Sequence, residues 1–394
     1  MKRIKWVMLF LCFFMMSALV SCGEHGAEES AHESSSTEES AHESSSAQTE
    51  EILSSEEREL AENQKFLESI SYLRYTLTGE DTPYFVGRWF EKKINGKIHQ
   101  VTLTDGSAFY FLIDGAESFD LNFTVITSKE EPYFAYSIDG AEPIRQHITE
   151  KTVRLPDNGK HTVRIIADGM TESEGKWKEE KGFALKSVIP AEGGKIYGIR
   201  PENKIIFYYG DSITEGVRAL NMSATSNGNS ATNAYPWFCS EKLGAVTYSV
   251  GYGASGVTVS GSFHTFQNAI DYNSNGRKVD DGTVPDVIVI NHGTNDRNAS
   301  ADVFKAELSK AIARLREKYP DAPIVYMIPF GQYHAEAITE TMSGFENAYV
   351  VPTDEWNLTF TDVFHPDSDG AKTAGENLAE ELIRILGEDF FESR

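Results

Sequence analysis

Cysteine is nearly absent: three occur in 394 residues, Cys12, Cys22 and Cys239. With Cys239 alone in the body of the chain, no internal disulfide can form there. No CxxC pair or HExxH pattern offers zinc-ligand spacing, so no metal site is indicated. Cys239 stands beside Trp237 and Phe238 and reads as a small buried hydrophobe rather than a nucleophile. Positive charge is also scarce. Lys and Arg number 36 against 60 Asp and Glu, a formal net charge of -24. That argues against nucleic acid as a partner, because phosphate binding needs a basic surface. Anionic lipid headgroups are not attracted by charge either. A long unbroken apolar run occurs only near the start, at residues 6–20. The 40% hydrophobic content is nevertheless ample for a core, in two domains or one large one.

That apolar run, "WVMLFLCFFMMSALV", follows Lys2, Arg3 and Lys5. It is short for a transmembrane helix and has the flanks of a secretory signal. It leads into "LVSC", Leu19 to Cys22, which resembles the lipobox of bacterial lipoproteins. The resemblance implies a signal peptide at 1–21, cleavage before Cys22 and lipidation of its thiol. The chain would then lie at the outer face of a bacterial membrane, touching it through the lipid anchor only. Residues 22–55 are acidic and serine-rich, with ESAHESSS at Glu29 to Ser36 and again at Glu39 to Ser46. Such a segment cannot bury enough surface to offset its ordering entropy and reads as a disordered tether. His32 and His42 within it read as spacer composition rather than metal ligands.

Residues 56–75 form a helical lead-in, with Leu60, Phe66, Leu67, Ile70 and Leu73 compatible with one apolar face. From 76 to 200 the pattern is of short alternating runs such as "SAFYFLID", "SFDLNFTVIT" and "KHTVRIIAD", punctuated by Asp-Gly pairs. Those signals predict an antiparallel β-sandwich. Its Trp89 and Trp177 read as core or interdomain contacts in preference to sugar-stacking residues. From 201 to 394 the runs "KIIFYYG", "AVTYSVG", "DVIVINHG" and "APIVYMIP" are nearly continuous, with helices predicted at 302–318 and 371–387. Strands buried on both faces and joined by helices imply an α/β domain with a parallel sheet, whose sites form beyond the strands' carboxyl ends.

Four loops fall there: Gly210-Asp211-Ser212, "GYGASG" at 251–256, "NHGTND" at 291–296 and "DVFHPD" at 362–367. Together, in this order, they resemble the SGNH or GDSL-type hydrolase superfamily from about Lys204 onward. The resemblance implies Ser212 as nucleophile, His365 as base and Asp362 as its orienting carboxylate. It also implies an oxyanion hole of the Ser212 N–H, Gly256 and the Asn295 side chain. The chemistry is consistent with those roles. A serine hydroxyl needs a base to take its proton, and histidine suits that task near neutral pH. A carboxylate fixes the histidine tautomer, glycine lets backbone approach a substrate, and an amide can donate to an oxyanion. Asp211 and Asp296 read as structural, and His292 as a packing or pocket-shaping residue.

Ahead of these blocks, "YFVGRWFEK", "SIDG" and "KHTVRIIADGMTE" resemble carbohydrate esterase family 2. Those proteins pair a jelly-roll-like sandwich with an SGNH domain and remove acetyl groups from plant polysaccharides. The implied partner is an acetylated oligo- or polysaccharide, and no cofactor or metal is implied. Some members orient the histidine by a backbone carbonyl, whereas Asp362 offers a carboxylate here. Two rival readings are a lipase or thioesterase on the same site, and a catalytically silent glycan-binding surface lipoprotein. The segment Ala219 to Tyr235, long and mostly small or polar, is expected to arch over or beside the site as a loop.

Overall fold

The strand Ala108–Asp114 shows how the two halves of the chain are joined, because both of its faces are buried. Side chains alternate across a strand with period two. Phe109, Phe111 and Ile113 enter one apolar cluster with Phe119, Phe134 and Val163. Ala108, Tyr110 and Leu112, pointing the other way, enter a second with Phe207, Trp237 and Tyr248. The first cluster is the interior of the sandwich. The second is the seam between the sandwich and the α/β half. Each large side chain buried there contributes about 1.5–3 kcal/mol. The computed structural model describes residues 54–392 except 128 and 173, so the signal, most of the tether, Cys22, His32 and His42 lie outside the described residues.

One sheet of the sandwich has seven strands. In order these are Tyr75–Glu80, Lys195–Pro201, Ala108–Asp114, His161–Gly169, Tyr133–Ile138 and Ile144–His147, with Tyr84–Val86 also paired to Ala108–Asp114. The other has five, in the order Trp89–Ile94, Lys97–Thr102, Gly182–Pro190, Ser118–Ile126 and Thr152–Arg154. Pairing is antiparallel throughout. The lead-in helix, Ser55–Glu68, opens on a reciprocal capping box: the Glu57 N–H donates to Ser54 Oγ at 3.2 Å, and the Ser54 N–H to Glu57 Oε2 at 2.8 Å. It ends five residues before Leu73. Leu73 is buried all the same, on the approach to the edge strand that starts at Tyr75.

The second half is a five-stranded parallel sheet in the order Val246–Gly251, Ile205–Gly210, Val287–Asn291, Ile324–Met327 and Ala348–Val351. The last, a partly exposed edge strand, is not evident from the sequence because it is only four residues long. Helices Tyr235–Leu243 and Ser368–Leu386 cover one face; Ala301–Lys318 and Ala335–Met342 cover the other. Ile205–Gly210 lies between the strands that follow it, so the connection reverses direction at its carboxyl end. That is the switch point at which open α/β sheets bind ligands.

Buried cations from the sandwich cross the seam. The Arg88 guanidinium, 1% exposed, donates to Ala269 O at 2.9 Å and to Tyr209 Oη at 3.3 Å. Arg164 donates to both carboxylate oxygens of Glu241, at 2.8 and 3.3 Å. Trp89 is a core residue whose indole donates to Val86 O and Ala108 O, and Trp177 packs edge-on against Phe263 across the seam. No helix among the described residues is long and apolar enough to cross a membrane.

Candidate active site

Ser212 begins a one-turn helix, Ser212–Glu215, at the carboxyl end of Ile205–Gly210. The cap of that helix is Asp211, whose Oδ1 accepts the Ile213 N–H at 3.0 Å. Ser212 is thereby left free of capping duty, and its own N–H, in the first turn, has no intrahelical partner. Gly216 ends the helix at φ +86°, where its N–H donates to Ser212 O. A side chain there would collide with Ser230 O, so only glycine allows the turn.

His365 and Asp362 stand on the loop before Ser368–Leu386. His365 Nε2 is 2.8 Å from Ser212 Oγ, and His365 Nδ1 is 2.9 and 3.0 Å from the two Asp362 oxygens. Ser212 and His365 are 6% and 8% exposed, dry enough to strengthen the contact yet still reachable. Burial pushes the Asp362 carboxyl up, but the His365 and Phe364 N–H groups, the His365 ring and Arg218 hold it well below the usual carboxylate range. Asp362 is therefore ionised wherever a histidine base could work. Among the described residues the only groups bonded to His365 Nδ1 are the Asp362 oxygens, with no backbone carbonyl in that place.

The remaining blocks surround this pair with donors that already carry partners. Asn295 Nδ2 donates to Ser255 O at 3.0 Å and reaches Asp211 Oδ2 at 3.4 Å. The Gly256 N–H donates to Val259 O at 3.0 Å. A Cβ on Gly256 would strike the Asp296 carboxylate, which is itself committed to the N–H groups of Val257 and Thr258. Asp296 thus braces the loop, as expected of a structural residue. Asp211 is fully buried; burial pushes its carboxyl up to about 7, with the Ile213 N–H opposing and Asp296 adding to the rise. His292 is buried against the Phe266 ring at 4.8 Å, and burial pushes it down to about 4, leaving it neutral. Burial likewise pushes the Cys239 thiol up to about 12, making it inert. Among the described residues no cluster of three or more His, Cys, Asp or Glu side chains could hold a metal ion.

Residues 219–235 do lie beside the site, but they are pinned. Ser226, Asn229 and Ser230 are completely buried. Asn229 donates to Met170 O at 2.8 Å, and Asp168 of the sandwich accepts from Ser230 Oγ, the Thr232 N–H and Thr232 Oγ1. Arg145 donates to the same carboxylate at 2.7 Å. The exposed residues of the segment are Leu220, Asn221, Met222 and Asn227.

Three further groups carry no sequence signal of their own. Arg218 donates to Asp362 Oδ2. The Glu172 side chain, from the sandwich, lies against Gly253. Burial and then Glu215 push its carboxyl up, and the charges of His365, Lys181 and Arg218 pull it back, so it shares the site's field. Behind Ser212, Glu215 Oε1 is 2.6 Å from Lys176 Nζ and 3.5 Å from Lys181 Nζ, while Oε2 accepts the Gly253 N–H at 2.7 Å. "SITEG" contains Glu215 in plain view, but its lysine partners come from the sandwich half, so no spacing announces them.

Residues 208–381 match the family described as GDSL-like Lipase/Acylhydrolase family. No curated protein matches the chain. Several solved structures are similar in fold. A family two carbohydrate esterase from Clostridium thermocellum, in complex with cellohexaose, is 20% identical with a TM-score of 0.64, covering 78% of this chain and 100% of its own. An acetyl xylan esterase from the rumen bacterium Butyrivibrio proteoclasticus is 16% identical with a TM-score of 0.62, over 81% and 100%. A salicylyl-acyltransferase from a tetracycline biosynthetic pathway is 15% identical with a TM-score of 0.57, over 79% and 98%.

Proposed function

We propose that this chain, whose residues 208–381 match a GDSL-like lipase/acylhydrolase family, is a carboxylic ester hydrolase that removes O-acetyl groups from carbohydrate by a Ser-His-Asp mechanism. The observation that carries this reading is the 2.8 Å contact of Ser212 Oγ with His365 Nε2. His365 Nε2 takes the hydroxyl proton as Oγ attacks the acyl carbon. The oxyanion meets the Ser212 N–H, then the Asn295 amide and Gly256 N–H as these exchange Asp211 and Val259 O for it. One such donor contributes about 3 kcal/mol to transition-state stabilisation. The intermediate collapses with loss of the sugar oxygen, which receives the proton from His365. Water, deprotonated by His365, then attacks the acyl-enzyme; acetate leaves and Ser212 recovers its proton.

A sugar ester is favoured by the site's surroundings. Glu172 adds negative potential, which disfavours anionic acyl groups and offers an acceptor to a neutral hydroxyl. Leu220 and Met222 are the large aliphatics of the 219–235 segment, too few to shelter a long acyl chain at about 0.8 kcal/mol per buried CH₂. Structural neighbours named as carbohydrate esterases support the same class. The expected result is a kcat/KM for p-nitrophenyl acetate at least about 100-fold above that for the octanoate, with acetate released from acetylated xylan or mannan by wild type and not by Ser212→Ala. A preference for octanoate would move the assignment to a lipase. Glycan binding without acetate release by the wild-type enzyme would make this a binding protein.

Anchoring is proposed on the "LVSC" signature and the charged repeat after it. The thiol of Cys22 carries lipid, and the hydrolase works at the outer face of a bacterial membrane. Cys22→Ser is expected to abolish incorporation of radiolabelled fatty acid and release the protein from the membrane fraction. Undiminished labelling of that variant would refute the site.

A further inference from the structure

Asp362 accepts more hydrogen bonds than the orientation of one imidazole requires. Its Oδ1 takes the Phe364 and His365 N–H groups at 2.8 Å each and His365 Nδ1 at 3.0 Å. Its Oδ2 takes His365 Nδ1 at 2.9 Å and Arg218 Nη1. A carboxylate has about four lone-pair sites, and Arg218 occupies the one that the 362–367 loop itself leaves open. Arg218 belongs to none of the four sequence blocks. Its backbone sits at φ +59°, a left-handed conformation that costs a side-chain-bearing residue about 1 kcal/mol or more. That conformation is held from outside: the Arg218 N–H donates to Asn229 Oδ1 at 3.0 Å, and Asn229 is buried and tied to Met170 O of the sandwich.

A closed ring results. Ser212 touches His365, His365 touches Asp362, Asp362 is bonded to Arg218, and the chain returns from Arg218 to Ser212 through a single helical turn and Gly216. The nucleophile and the group that braces the acid are thus carried by one short segment, while the acid and base come from a loop more than a hundred residues further on.

We propose that Arg218 is a positioning residue for ester hydrolysis: it locks the Asp362 carboxylate against His365 and so holds the imidazole on Ser212. The proposal rests on the Ser212, His365 and Asp362 reading above. Arg218 Nη1 and His365 Nδ1 both donate to Asp362 Oδ2, so the carboxylate cannot swing away from the ring without breaking its bond to the guanidinium. Removing Arg218 leaves Oδ2 held by His365 alone and frees the carboxylate to rotate, which misaligns the base without touching the substrate.

The test compares Arg218→Met, Arg218→Gln and Arg218→Lys with wild type and Ser212→Ala, with kcat and KM measured separately on p-nitrophenyl acetate. In Arg218→Met and Arg218→Gln kcat is expected to fall about tenfold while KM changes by less than about twofold, because Arg218 acts through Asp362 and not on the substrate. Arg218→Lys, which keeps a charged donor for Asp362, should recover part of the lost kcat. An unchanged kcat in both uncharged variants overturns the proposal, and a KM that rises as much as kcat falls overturns the positioning role. If Arg218→Met does not fold, Arg218→Gln, which retains an amide donor, decides. Undiminished activity of Ser212→Ala would instead reject the triad reading, an outcome that does not involve Arg218.

Discussion

Ser212→Ala is expected to lower kcat for an acetyl ester by about 10⁴-fold or more. Among the described residues the hydroxyl is the only attacking group placed on His365 Nε2, at 2.8 Å, and alanine leaves nothing at that point to form the acyl-enzyme. Loss is not total, since the oxyanion donors and the bound geometry still favour attack by water. His365→Ala should cost a similar factor, and the double variant little more, because the two residues act as one unit. Asp362→Asn should also be severe, at about 10³- to 10⁴-fold. An asparagine can keep one oxygen for the Phe364 and His365 N–H groups, but its NH₂ would then meet both His365 Nδ1 and Arg218, two groups that need an acceptor. With no carbonyl bonded to Nδ1 among the described residues, nothing takes over. Asp362 stays ionised well below neutral pH in the wild type, so protonation of this carboxylate should not limit kcat/KM at moderately acidic pH. Steady-state rates on p-nitrophenyl acetate decide this; a His365→Ala variant near wild-type turnover, or an equal loss from His292→Ala, would show that another base serves the site.

The second large effect concerns stability and comes from behind Ser212. Glu215→Ala is expected to destabilise the folded chain by about 3–5 kcal/mol, read from the urea unfolding midpoint. Lys176, Lys181, Glu215 and Asp105 are 0–1% exposed, so no water can compensate a charge stripped of its partner. Burial pushes Glu215 up, yet the two lysines outweigh it and keep the carboxyl below its ordinary range. Burial, opposed by Lys176, holds Asp105 well above its own range, so Glu215 is the principal counter-charge to both lysines. Replacing Glu215 also removes the acceptor for the Gly253 N–H, loosening the loop that leads to Gly256. The activity of whatever remains folded should therefore drop too. Pairing the change with Lys176→Met should recover part of the loss, with a coupling of about 1–3 kcal/mol, since it removes one of the stranded cations. A single variant within about 0.5 kcal/mol of wild type would mean that water reaches the cluster and the pairing is worth little.

Much of this organisation is legible without coordinates where the cause is local. The run "DVIVINHG" is apolar because Val287–Asn291 is buried on both faces, and the glycine and asparagine after it mark the loop that the sheet must present. The strand-then-GDS pattern locates Ser212 because the turn and its Asp211 cap are built from adjacent residues. Asp362 and His365 are three apart, close enough for one turn to bring them together. The helix Ala301–Lys318 was evident for the same reason: its apolar spacing and its Ser300 cap lie within the segment itself. The edge strand Ala348–Val351 was not, because its place depends on pairing with Ile324–Met327 more than on its own composition.

What the tertiary structure alone decided is everything that spans the seam. Sequence periodicity reports which side chains leave water, not which surface they meet, so the outward face of Ala108–Asp114 was readable as apolar but not as the partner of Phe207 and Tyr248. Charges are less legible still. Lys176 and Glu215, Asp168 and Ser230, and Arg218 and Asp362 are ordinary surface residues by composition, and each pair is far apart in the chain. They become brace, anchor and clamp only because the packing of the sandwich against the parallel sheet excludes water around them. The residues proposed to perform the chemistry were thus set by short-range sequence, whereas those that hold them in register were set by long-range burial, which raises the cost of an unpaired charge and makes each pairing obligatory.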